Sequence, residues 1–361
     1  MGEILMKKLI AILMNKLKIL SLFDGISATQ VALKNLGIQY DYYASEIDPY
    51  AIKVTQNNFP NTVQLGDVKN IKARFCPEGQ FEYIEYGEEK KLDKPILAGW
   101  QIITHDVKPY FHFDDGIQPD ILIGGSPCQS FSIAGSQKGF EDPRGQLFWE
   151  YVFILNEVKP KFFIFENVNS MKQRDKDIIS KAFGFEPIVI NSALVTAQQR
   201  KRLFYVGALQ GDGTYKKLEI EQPQDKNKTV WEILELEPNI KVENFDDFVR
   251  ISEDRVNGIL GFYKTTKRLG HFNSGGQGDR VYSRFGKSVC LSANGGGRGA
   301  KCGLYLTKHN EIRKLTVNEC CRLQGFPDGF VDSISKSQGY KALGNSFTVP
   351  VIEHILKTIL K

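Results

Sequence analysis

The stretch Ile121-Leu-Ile-Gly-Gly-Ser-Pro-Cys-Gln-Ser-Phe-Ser132 decides how this chain of 361 residues is interpreted. Its first three residues predict the end of a buried strand, because aliphatic side chains favour covered positions in a sheet. Two glycines and Pro127 then interrupt the strand directly before Cys128. Open α/β sheets bind ligands just beyond the carboxyl ends of their strands. A free cysteine is usually a small buried apolar residue, but this setting favours a thiol that projects outward.

The composition is that of a folded protein with room for one large and one smaller domain. Hydrophobic residues make up 42% of the chain, and the net charge is +5. This mildly basic balance is compatible with a nucleic-acid partner but does not establish one. The six cysteines include no CxxC pair and no Cys/His ligand spacing. We therefore expect no metal site and no disulfide framework, and a reduced, cytoplasmic setting.

Residues 1–15 are expected to be an extension or leader ahead of the first strand. Met6-Lys-Lys-Leu-Ile-Ala-Ile-Leu resembles the start of a signal peptide, but Lys16 and Lys18 interrupt the apolar run and no cleavage site follows. The run is too short to span a membrane, so we expect no membrane association.

A nucleotide-type cradle is predicted near the amino terminus. Residues 16–23 have the pattern of a strand, residues 24–27 of a turn, and residues 28–36 of an amphipathic helix. Because no G-x-G-x-x-G is present, an adenosine without phosphates fits better than a pyrophosphate. Glu46 follows the next strand about 20 positions after the turn, where an acid accepts ribose hydroxyls. The alternative for Glu46 is a solvated strand end.

Gly66-Asp67-Val68 follows a third predicted strand. Asp67 is placed to accept a hydrogen bond from an adenine amino group. Residues 72–118 carry short aromatic runs of mixed charge, which predict an inserted hairpin or small sheet without assignable chemistry. Asp106, near the end of this insertion, is a competitor of Asp67 for the adenine.

Two further stretches carry polar groups suited to a reactive site. Glu166-Asn167-Val168 ends the buried strand at 161–165, and a carboxyl there can stay protonated if burial raises its pKa. Arg200 and Arg202 lie two positions apart, so an extended segment presents them on one face, where they suit a polar ring or a phosphate. The alternatives are a solvated strand end for Glu166 and a basic edge strand for the arginines.

The composition changes between 210 and 305, where Gly, Asn, Lys and Arg rise. Arg280 and Arg298 lie in loop sequences that suit the reading of base edges and phosphates, and equally suit ordinary surface loops. The chain then returns to regular patterns. Thr316 and Glu319 form a capping box that opens a helix, in which we expect the adjacent cysteines 320 and 321 to pack.

Together these segments resemble the cytosine carbon-5 DNA methyltransferases that use S-adenosylmethionine. The resemblance covers nearly the whole chain outside 72–118 and 210–305, and Pro-Cys-Gln, Glu-Asn-Val and Gln-x-Arg-x-Arg in this order are highly specific. Individual segments look like animal de novo enzymes and others like bacterial or phage members. The matching segments, in the family's order, are Phe23-Asp-Gly, Glu46, Asp67, Pro127-Cys128-Gln129, Glu166-Asn167-Val168, Gln198-x-Arg200-x-Arg202 and Gly344-Asn345-Ser346.

Two positions depart from the family's pattern. Ser27 replaces the second glycine of the usual Phe-x-Gly-x-Gly, which is expected to crowd the cofactor turn slightly while leaving a hydroxyl that could help binding. Phe347 replaces the common valine after Asn345-Ser346, a core change expected to be tolerated.

The resemblance implies an α/β fold: a doubly wound, mostly parallel, Rossmann-like methyltransferase sheet with a smaller target-recognition domain. It implies a catalytic and cofactor domain over 16–209 with the insertion at 72–118, a target-recognition domain over 210–305, and a return to the catalytic domain over 306–361.

The resemblance also assigns roles to residues. Cys128 is expected to add to carbon 6 of cytosine, Glu166 to stabilise ring nitrogen 3, and Arg200 and Arg202 to hold the base and order the cysteine loop. The residues expected to bind the cofactor are Phe23, Asp24, Gly25, Ile26, Glu46, Ile47, Asp67, Val68, Pro127, Asn345 and Ser346. Those expected to contact the substrate are Ser126, Gln129, Asn167, Gln198, Arg280 and Arg298.

The implied partner is double-stranded DNA, methylated at a specific sequence after the target base is flipped out of the stack. We expect a monomer in a bacterial or phage-infected cytoplasm. Two alternatives remain open: a transfer-RNA cytosine methyltransferase on the same scaffold, and a non-catalytic DNA-binding relative. The recognition sequence stays open, as does the choice between a restriction system, a phage and an orphan enzyme.

Overall fold

The computed structural model describes residues 16–71, 119–132, 137–236, 238–250, 263–309 and 311–360. The extension expected at 1–15, the insertion expected at 72–118 and Asp106 lie outside the described residues. The strands in the described ranges are β1 Leu17–Leu22, β2 Tyr40–Ser45, β3 Val63–Gln64, β4 Ile121–Gly124, β5 Phe162–Val168, β6 Ile188–Asn191, β7 Lys201–Leu209, β8 Tyr215–Lys217, β9 Val249–Arg250, β10 Arg268–His271, β11 Arg280–Ser283, β12 Leu304–Leu306 and β13 Ile312–Lys314. The helices there are α1 Ala28–Asn35, α2 Pro49–Asn58, α3 Pro143–Val158, α4 Gln173–Phe183, α5 Val230–Ile233, α6 Val317–Gln324, α7 Lys336–Asn345 and α8 Val349–Ile359.

The larger sheet has the strand order β3-β2-β1-β4-β5-β7-β6, with β8 paired to β7. Its pairs from β3 through to β5 are parallel, whereas β7 is antiparallel to both β5 and β6. A doubly wound, mostly parallel sheet was the predicted fold class, and this prediction is confirmed.

Helices cover both faces of this sheet. Alternate strand residues point to opposite faces, and accordingly Ile19 packs in one apolar cluster with α1, α2 and α8. Leu20 packs in the other cluster with α3 and α4. Buried on both sides, the central strands are nearly continuous runs of aliphatic and aromatic residues, as parallel sheets require.

Strand register determines which residues meet at the carboxyl edge of the sheet. Gly124 pairs with Phe165 in the parallel β4–β5 ladder, so the cysteine loop leaves β4 beside Glu166. Arg202 pairs with Val168 in the antiparallel β5–β7 ladder. The thiol-bearing loop, the carboxyl and the arginine therefore converge at one edge.

A second sheet has the order β13-β12-β11-β10-β9 and spans residues 249 to 314. Strand β8, at 215–217, pairs with the first sheet, and β12 and β13 carry the second sheet to residue 314. The domain boundaries expected at 209/210 and 305/306 stay predictions.

The chain ends on the first sheet. Helix α8 packs its buried face against α1, and Asn35 donates a hydrogen bond of 2.7 Å to Glu353. None of the helices in the described ranges is long and apolar enough to cross a membrane.

Candidate active site

The two glycines before the cysteine loop make room for the protein itself. A Cβ on Gly124 would lie 2.5 Å from the Leu22 carbonyl oxygen. A Cβ on Gly125 would lie 2.8 Å from the Glu166 carbonyl oxygen and 3.0 Å from its Oε2. The missing side chains thus let β1 and the Glu166 carboxyl approach the loop.

The cysteine loop is held by its neighbours on both sides of Cys128. Asn167 is fully buried, and its Nδ2 donates a hydrogen bond of 3.2 Å to Ser126 Oγ. On the other side, Gln129 Oε1 accepts a hydrogen bond of 3.0 Å from Arg144. Ser126, Gln129 and Asn167, which were predicted to contact substrate, are thus engaged in shaping the loop. Cys128 itself begins a short 3₁₀ turn and is half-buried.

Glu166 and Arg202 form an ion pair of 2.9 Å, with only 12% and 15% of their side chains exposed. Burial raises the pKa of Glu166, and the charges of Arg202 and Arg200 offset this only in part. A raised pKa favours the protonated form that can donate a hydrogen bond. This direction agrees with the chemistry expected of Glu166.

The Cys128 thiol is not pre-ionised in this environment. Burial and the nearby Glu166 charge raise the pKa of Cys128, while Arg202 and Arg200 act against that rise. The two arginine charges therefore do not bring the pKa of the thiol down to its usual value. Protonation of Glu166 would remove the second cause of the rise.

Arg200 lies inside the protein beneath the site, where it has little access to a substrate. Its side chain is buried, with the residue 4% exposed. Its Nη2 donates to the carbonyl oxygens of Ser346 at 2.8 Å and Gly344 at 3.2 Å. The two arginines, expected to act as one fork, therefore differ: Arg202 faces Glu166, whereas Arg200 ties β7 to the carboxyl-terminal region.

Gln198 is also interior. It is fully buried, and its Oε1 accepts a hydrogen bond of 2.9 Å from the backbone N–H of Leu291. Its Nε2 donates to Gln324 Oε1 at 3.2 Å. The predicted substrate contact of Gln198 does not match this position, because both ends of its amide are used inside the protein.

The predicted cofactor cradle lies at the ends of β1 and β2. One Glu46 oxygen accepts the backbone N–H of Gly25 at 2.8 Å, and the other accepts those of Ile47 and Asp48 at 2.7 and 2.8 Å. These three donors anchor the carboxylate at the turn. Ile47 is 68% exposed, which is unusual for an aliphatic side chain and offers an apolar surface to a flat ring.

Asp24 and Ser27 face the interior beneath this turn. Asp24 accepts hydrogen bonds from Ser21 and Tyr42, each at 2.7 Å, and from Ser27. Ser27 is fully buried with φ of 57°, a conformation that favours glycine. The Asp24 carboxyl and the Ser27 hydroxyl are thus both engaged in hydrogen bonds inside the protein.

The remaining residues predicted to bind the cofactor differ in how far their side chains are exposed. Val68 and Ile26 are buried, so they support the cradle through packing. Asp67 is half-buried, and one of its oxygens caps the 3₁₀ turn by accepting the Lys69 N–H at 3.0 Å. Asn345 is exposed at the end of α7. Phe23 and Pro127 are half-buried, and Ser346 is buried, with its carbonyl bound to arginine 200.

The two arginines expected to read DNA lie in the second sheet and its loops. Arg298 pairs with Glu243 at 3.1 Å and stacks over Phe272, with 4.5 Å from Cζ to the ring centroid. Arg280 donates from Nε to the Gly275 carbonyl oxygen at 3.3 Å. Both guanidiniums therefore make contacts within the second sheet region.

The sequence did not reveal the place of Cys290. Its sulfur lies 3.5 Å from Arg200 Nη1 and 3.8 Å from Arg202 Nη2. No local motif marks it, because it lies 90 positions from Arg200 and 88 positions from Arg202 in the chain. Within the described ranges, no group of three or more His, Cys, Asp or Glu side chains could hold a metal ion.

Comparison with known proteins gives the family of the chain. The family model "C-5 cytosine-specific DNA methylase" matches residues 17–88 and 101–361. The type II methyltransferase M.HhaI of Haemophilus parahaemolyticus is 30% identical, over 95% of this chain and 94% of that protein. The orphan methyltransferase M.SPRI of Bacillus phage SPR is 28% identical, over 96% of this chain and 98% of that protein.

Solved structures show the same fold. The Dnmt2 methyltransferase of S. pombe has a TM-score of 0.58 at 17% identity, covering 96% of this chain and 98% of that one. A putative DNA modification methyltransferase encoded within an E. coli prophage has a TM-score of 0.58 at 22% identity, covering 96% and 99%.

The chain belongs to the family of C-5 cytosine-specific DNA methylases. It is an enzyme, a DNA cytosine-5 methyltransferase.

Proposed function

We propose that this enzyme transfers a methyl group from S-adenosylmethionine to carbon 5 of a cytosine flipped out of double-stranded DNA, at a specific sequence. The observation that carries the proposal is the convergence of the Cys128 loop with the buried Glu166–Arg202 ion pair of 2.9 Å at the carboxyl edge of the sheet.

The difficulty of this reaction is that carbon 5 of cytosine is a poor nucleophile. The Cys128 thiolate forms a bond to carbon 6, and the displaced electron pair makes carbon 5 nucleophilic while negative charge moves toward nitrogen 3. A protonated Glu166 donates a hydrogen bond there and stabilises that charge. Loss of the carbon-5 proton to a base then restores the double bond and expels the thiolate.

Proton transfer between neighbours links the two groups. In the free protein the pKa values of the Cys128 thiol and the Glu166 carboxyl are both raised, and the Glu166 charge is one cause of the rise at Cys128. When cytosine enters, the Cys128 proton passes to an ionised Glu166, which leaves a thiolate and a neutral carboxyl. Arg202, paired with Glu166, stays in place to orient the carboxyl.

The cradle at the ends of β1 and β2 fits the adenosine part of the cofactor. An anchored Glu46 carboxylate suits two ribose hydroxyls, and the exposed Ile47 suits one face of adenine. A Cβ on Gly25 would meet no atom within 4 Å, so the turn leaves open space. S-adenosylmethionine supplies an electrophilic methyl group to the nucleophilic carbon.

The second sheet supports a duplex substrate. A protein that reads a duplex needs a large polar surface beyond the reaction centre, and the described residues between 249 and 314 form a separate five-stranded unit. The target base cannot be reached inside the stack, so it must leave it. The proposal includes a monomeric enzyme in a bacterial or phage-infected cytoplasm, which suits the free thiols Cys128 and Cys290.

Tritium-labelled S-adenosylmethionine tests the proposal. We expect label to pass from the cofactor to duplex DNA with wild-type protein and not with Cys128→Ala. Cys321→Ala, which removes a thiol from α6, is the matched control and should transfer label. Label on transfer RNA but not on DNA would support the alternative substrate, and label on DNA with Cys128→Ala would exclude the covalent mechanism.

The role of Glu166 has its own test. Glu166→Gln keeps the size of the side chain but removes the proton donor of a carboxyl group. Turnover should fall by about 100-fold or more, in the range of general acid catalysis, while calorimetry shows cofactor binding within about twofold of wild type. A collapse of cofactor affinity would contradict the assigned role.

A further inference from the structure

Cys290 lies between the two arginines of the active site. Arg200 Nη1 donates to its sulfur at 3.5 Å, and Arg202 Nη2 approaches it at 3.8 Å. The Cys290 thiol in turn points to the Leu291 carbonyl oxygen at 3.5 Å. The sulfur thus accepts hydrogen bonds from both guanidiniums, and its own proton points to the Leu291 carbonyl oxygen.

The sulfur is held by residues 287–291, which we call the 287–291 segment and which contact residues 193–199, directly before β7. Ser288 N–H donates to the Ala197 carbonyl oxygen at 2.6 Å, and Gln199 N–H donates to the Ser288 carbonyl oxygen at 3.0 Å. Lys287 is buried, and its Nζ donates to the Ala193 carbonyl oxygen at 2.6 Å. These contacts fix where Cys290 lies relative to β7.

The two guanidiniums are buried and repel each other. Burial lowers the pKa of Arg200, and the neighbouring Arg202 charge lowers it further. Burial alone would raise the pKa of the Cys290 thiol, but the two arginine charges outweigh it and lower that pKa. A polarisable sulfur between two cations therefore carries more negative charge than an ordinary thiol, and it offsets their repulsion.

Arg202 is consequently held from two sides. Its Nε pairs with Glu166 Oε1 at 2.9 Å, and its Nη2 faces the Cys290 sulfur. Without the sulfur, the repulsion from Arg200 would push Arg202 away from Glu166, because Arg200 is immobilised by backbone carbonyls.

We propose that Cys290 is a positioning residue for methyl transfer: its sulfur holds Arg200 and Arg202 in place, so that Arg202 keeps its ion pair with Glu166. The inference rests on the proposed function for the roles of Arg202 and Glu166. Because Cys290 belongs to the 287–291 segment, it also links the region of the second sheet to the reaction centre.

The first experiment compares Cys290→Ala, Cys290→Ser and Val289→Ala in steady-state methylation of duplex DNA. For Cys290→Ala we expect kcat to fall about tenfold, the usual effect of losing one hydrogen bond to a charged group, with both KM values within about twofold. Cys290→Ser keeps an acceptor and should recover kcat to within about threefold of wild type. Val289→Ala, the control, loosens packing in the same segment and should lower the melting temperature without lowering kcat.

The second experiment does not require methyl transfer. Iodoacetamide alkylation of Cys128 is followed by peptide mass spectrometry across pH. The charges facing Cys128 are Arg200, Arg202 and Glu166. If Cys290→Ala displaces the arginines, the pKa of the Cys128 thiol should rise by roughly half a unit, since lost cations disfavour the thiolate. Val289→Ala should leave the alkylation profile unchanged.

The two readouts separate failure of the inference from failure of the proposed function. A shifted alkylation profile with wild-type protein inactive on DNA would retain the positioning role and reject the function. An active wild type with unchanged kcat in Cys290→Ala would overturn the inference. The inference would also be overturned if Cys290→Ala and Cys290→Ser lowered kcat equally and lowered the melting temperature equally. Lost packing would then explain the lower kcat.

Discussion

The Asp24 carboxyl gives the sharpest quantitative prediction for stability. Burial raises its pKa from 3.8 to about 6, despite hydrogen bonds from Ser21, Ser27 and Tyr42. A carboxyl whose pKa is higher in the folded state binds protons more tightly when folded. Its contribution therefore favours folding at low pH, and that contribution is lost as the pH rises from about 3.8 to about 6.

The magnitude follows from the pKa difference. A difference of about 2, at 1.36 kcal/mol for each unit, means that ionised Asp24 costs the folded state about 3 kcal/mol above pH 6. Asp24→Asn removes the charge at every pH. The Asn oxygen can still accept from Ser21 and Tyr42, but its amide faces the Ser27 oxygen, which already accepts from Gln30 and Thr55, so the substitution also carries a fixed cost.

The assay is urea unfolding of wild type and Asp24→Asn at about pH 4.5 and about pH 7.5. The free energy of unfolding of Asp24→Asn minus that of wild type should be about 2 kcal/mol larger at about pH 7.5 than at about pH 4.5. It is less than about 3 kcal/mol because Asp24 of the unfolded wild-type chain is already partly ionised at the lower pH. Any fixed cost of rearranged hydrogen bonds affects both measurements equally. Asp247→Asn, at an exposed position, is the matched control and should show no such difference.

The reasoning is refuted if the stability difference between Asp24→Asn and wild type is the same at both pH values. That outcome would mean that the buried carboxyl ionises in the folded protein as readily as in water. The three hydroxyl donors would then compensate fully for the loss of hydration.

Three further predictions concern other parts of the site and its support. Gly125→Ala should reduce kcat by about 100-fold through displacement of the Glu166 carboxyl, whose Oε2 would lie 3.0 Å from the new Cβ, with cofactor binding measured as the control. Glu319→Ala should cost about 3 to 5 kcal/mol in urea unfolding, because it leaves the buried guanidinium of Arg313 unpaired, and a loss below about 1 kcal/mol would contradict this. Lys287→Met should cost about 1 to 3 kcal/mol, because two backbone carbonyls lose their donor, and unchanged stability would show that water replaces it.

Much of the fold follows from local patterns in the sequence. Asp48-Pro49 predicts the start of a helix, and Asp48 caps α2 by accepting the Tyr50 N–H at 2.9 Å. Thr316 and Glu319 predict a capping box, and both of its hydrogen bonds are present at the start of α6. Such signals involve residues two or three positions apart, so the sequence displays them directly.

The parts that escaped prediction depend on distant partners. The resemblance implied a substrate contact for Gln198, whereas its amide oxygen accepts a hydrogen bond from Leu291, 93 residues away. Arg200 was paired with Arg202 on the basis of alternation in a strand. It is held instead by carbonyls 144 and 146 residues away. Spacing predicts which residues share a face, whereas the burial of that face depends on what the rest of the chain places over it.

The same limit applies to the glycine turn. The departure of Ser27 from the family's glycine was expected to affect the cofactor side. Its hydroxyl turns inward because Asp24, Gln30 and Thr55 offer three buried partners there. A sequence shows that a hydroxyl is present but not which side of the turn it occupies.

The packing of α8 on α1 has a consequence for biosynthesis. Asn35 and Glu353 are 318 residues apart, and ribosomes add about 5 to 20 residues per second, so α1 waits roughly 15 to 60 seconds for its partner. During that interval the apolar face that α8 later covers is open to chaperones and to aggregation. Because α1 follows directly from the cofactor turn, the nascent chain supports that turn in full only after residues 349–359 have been made.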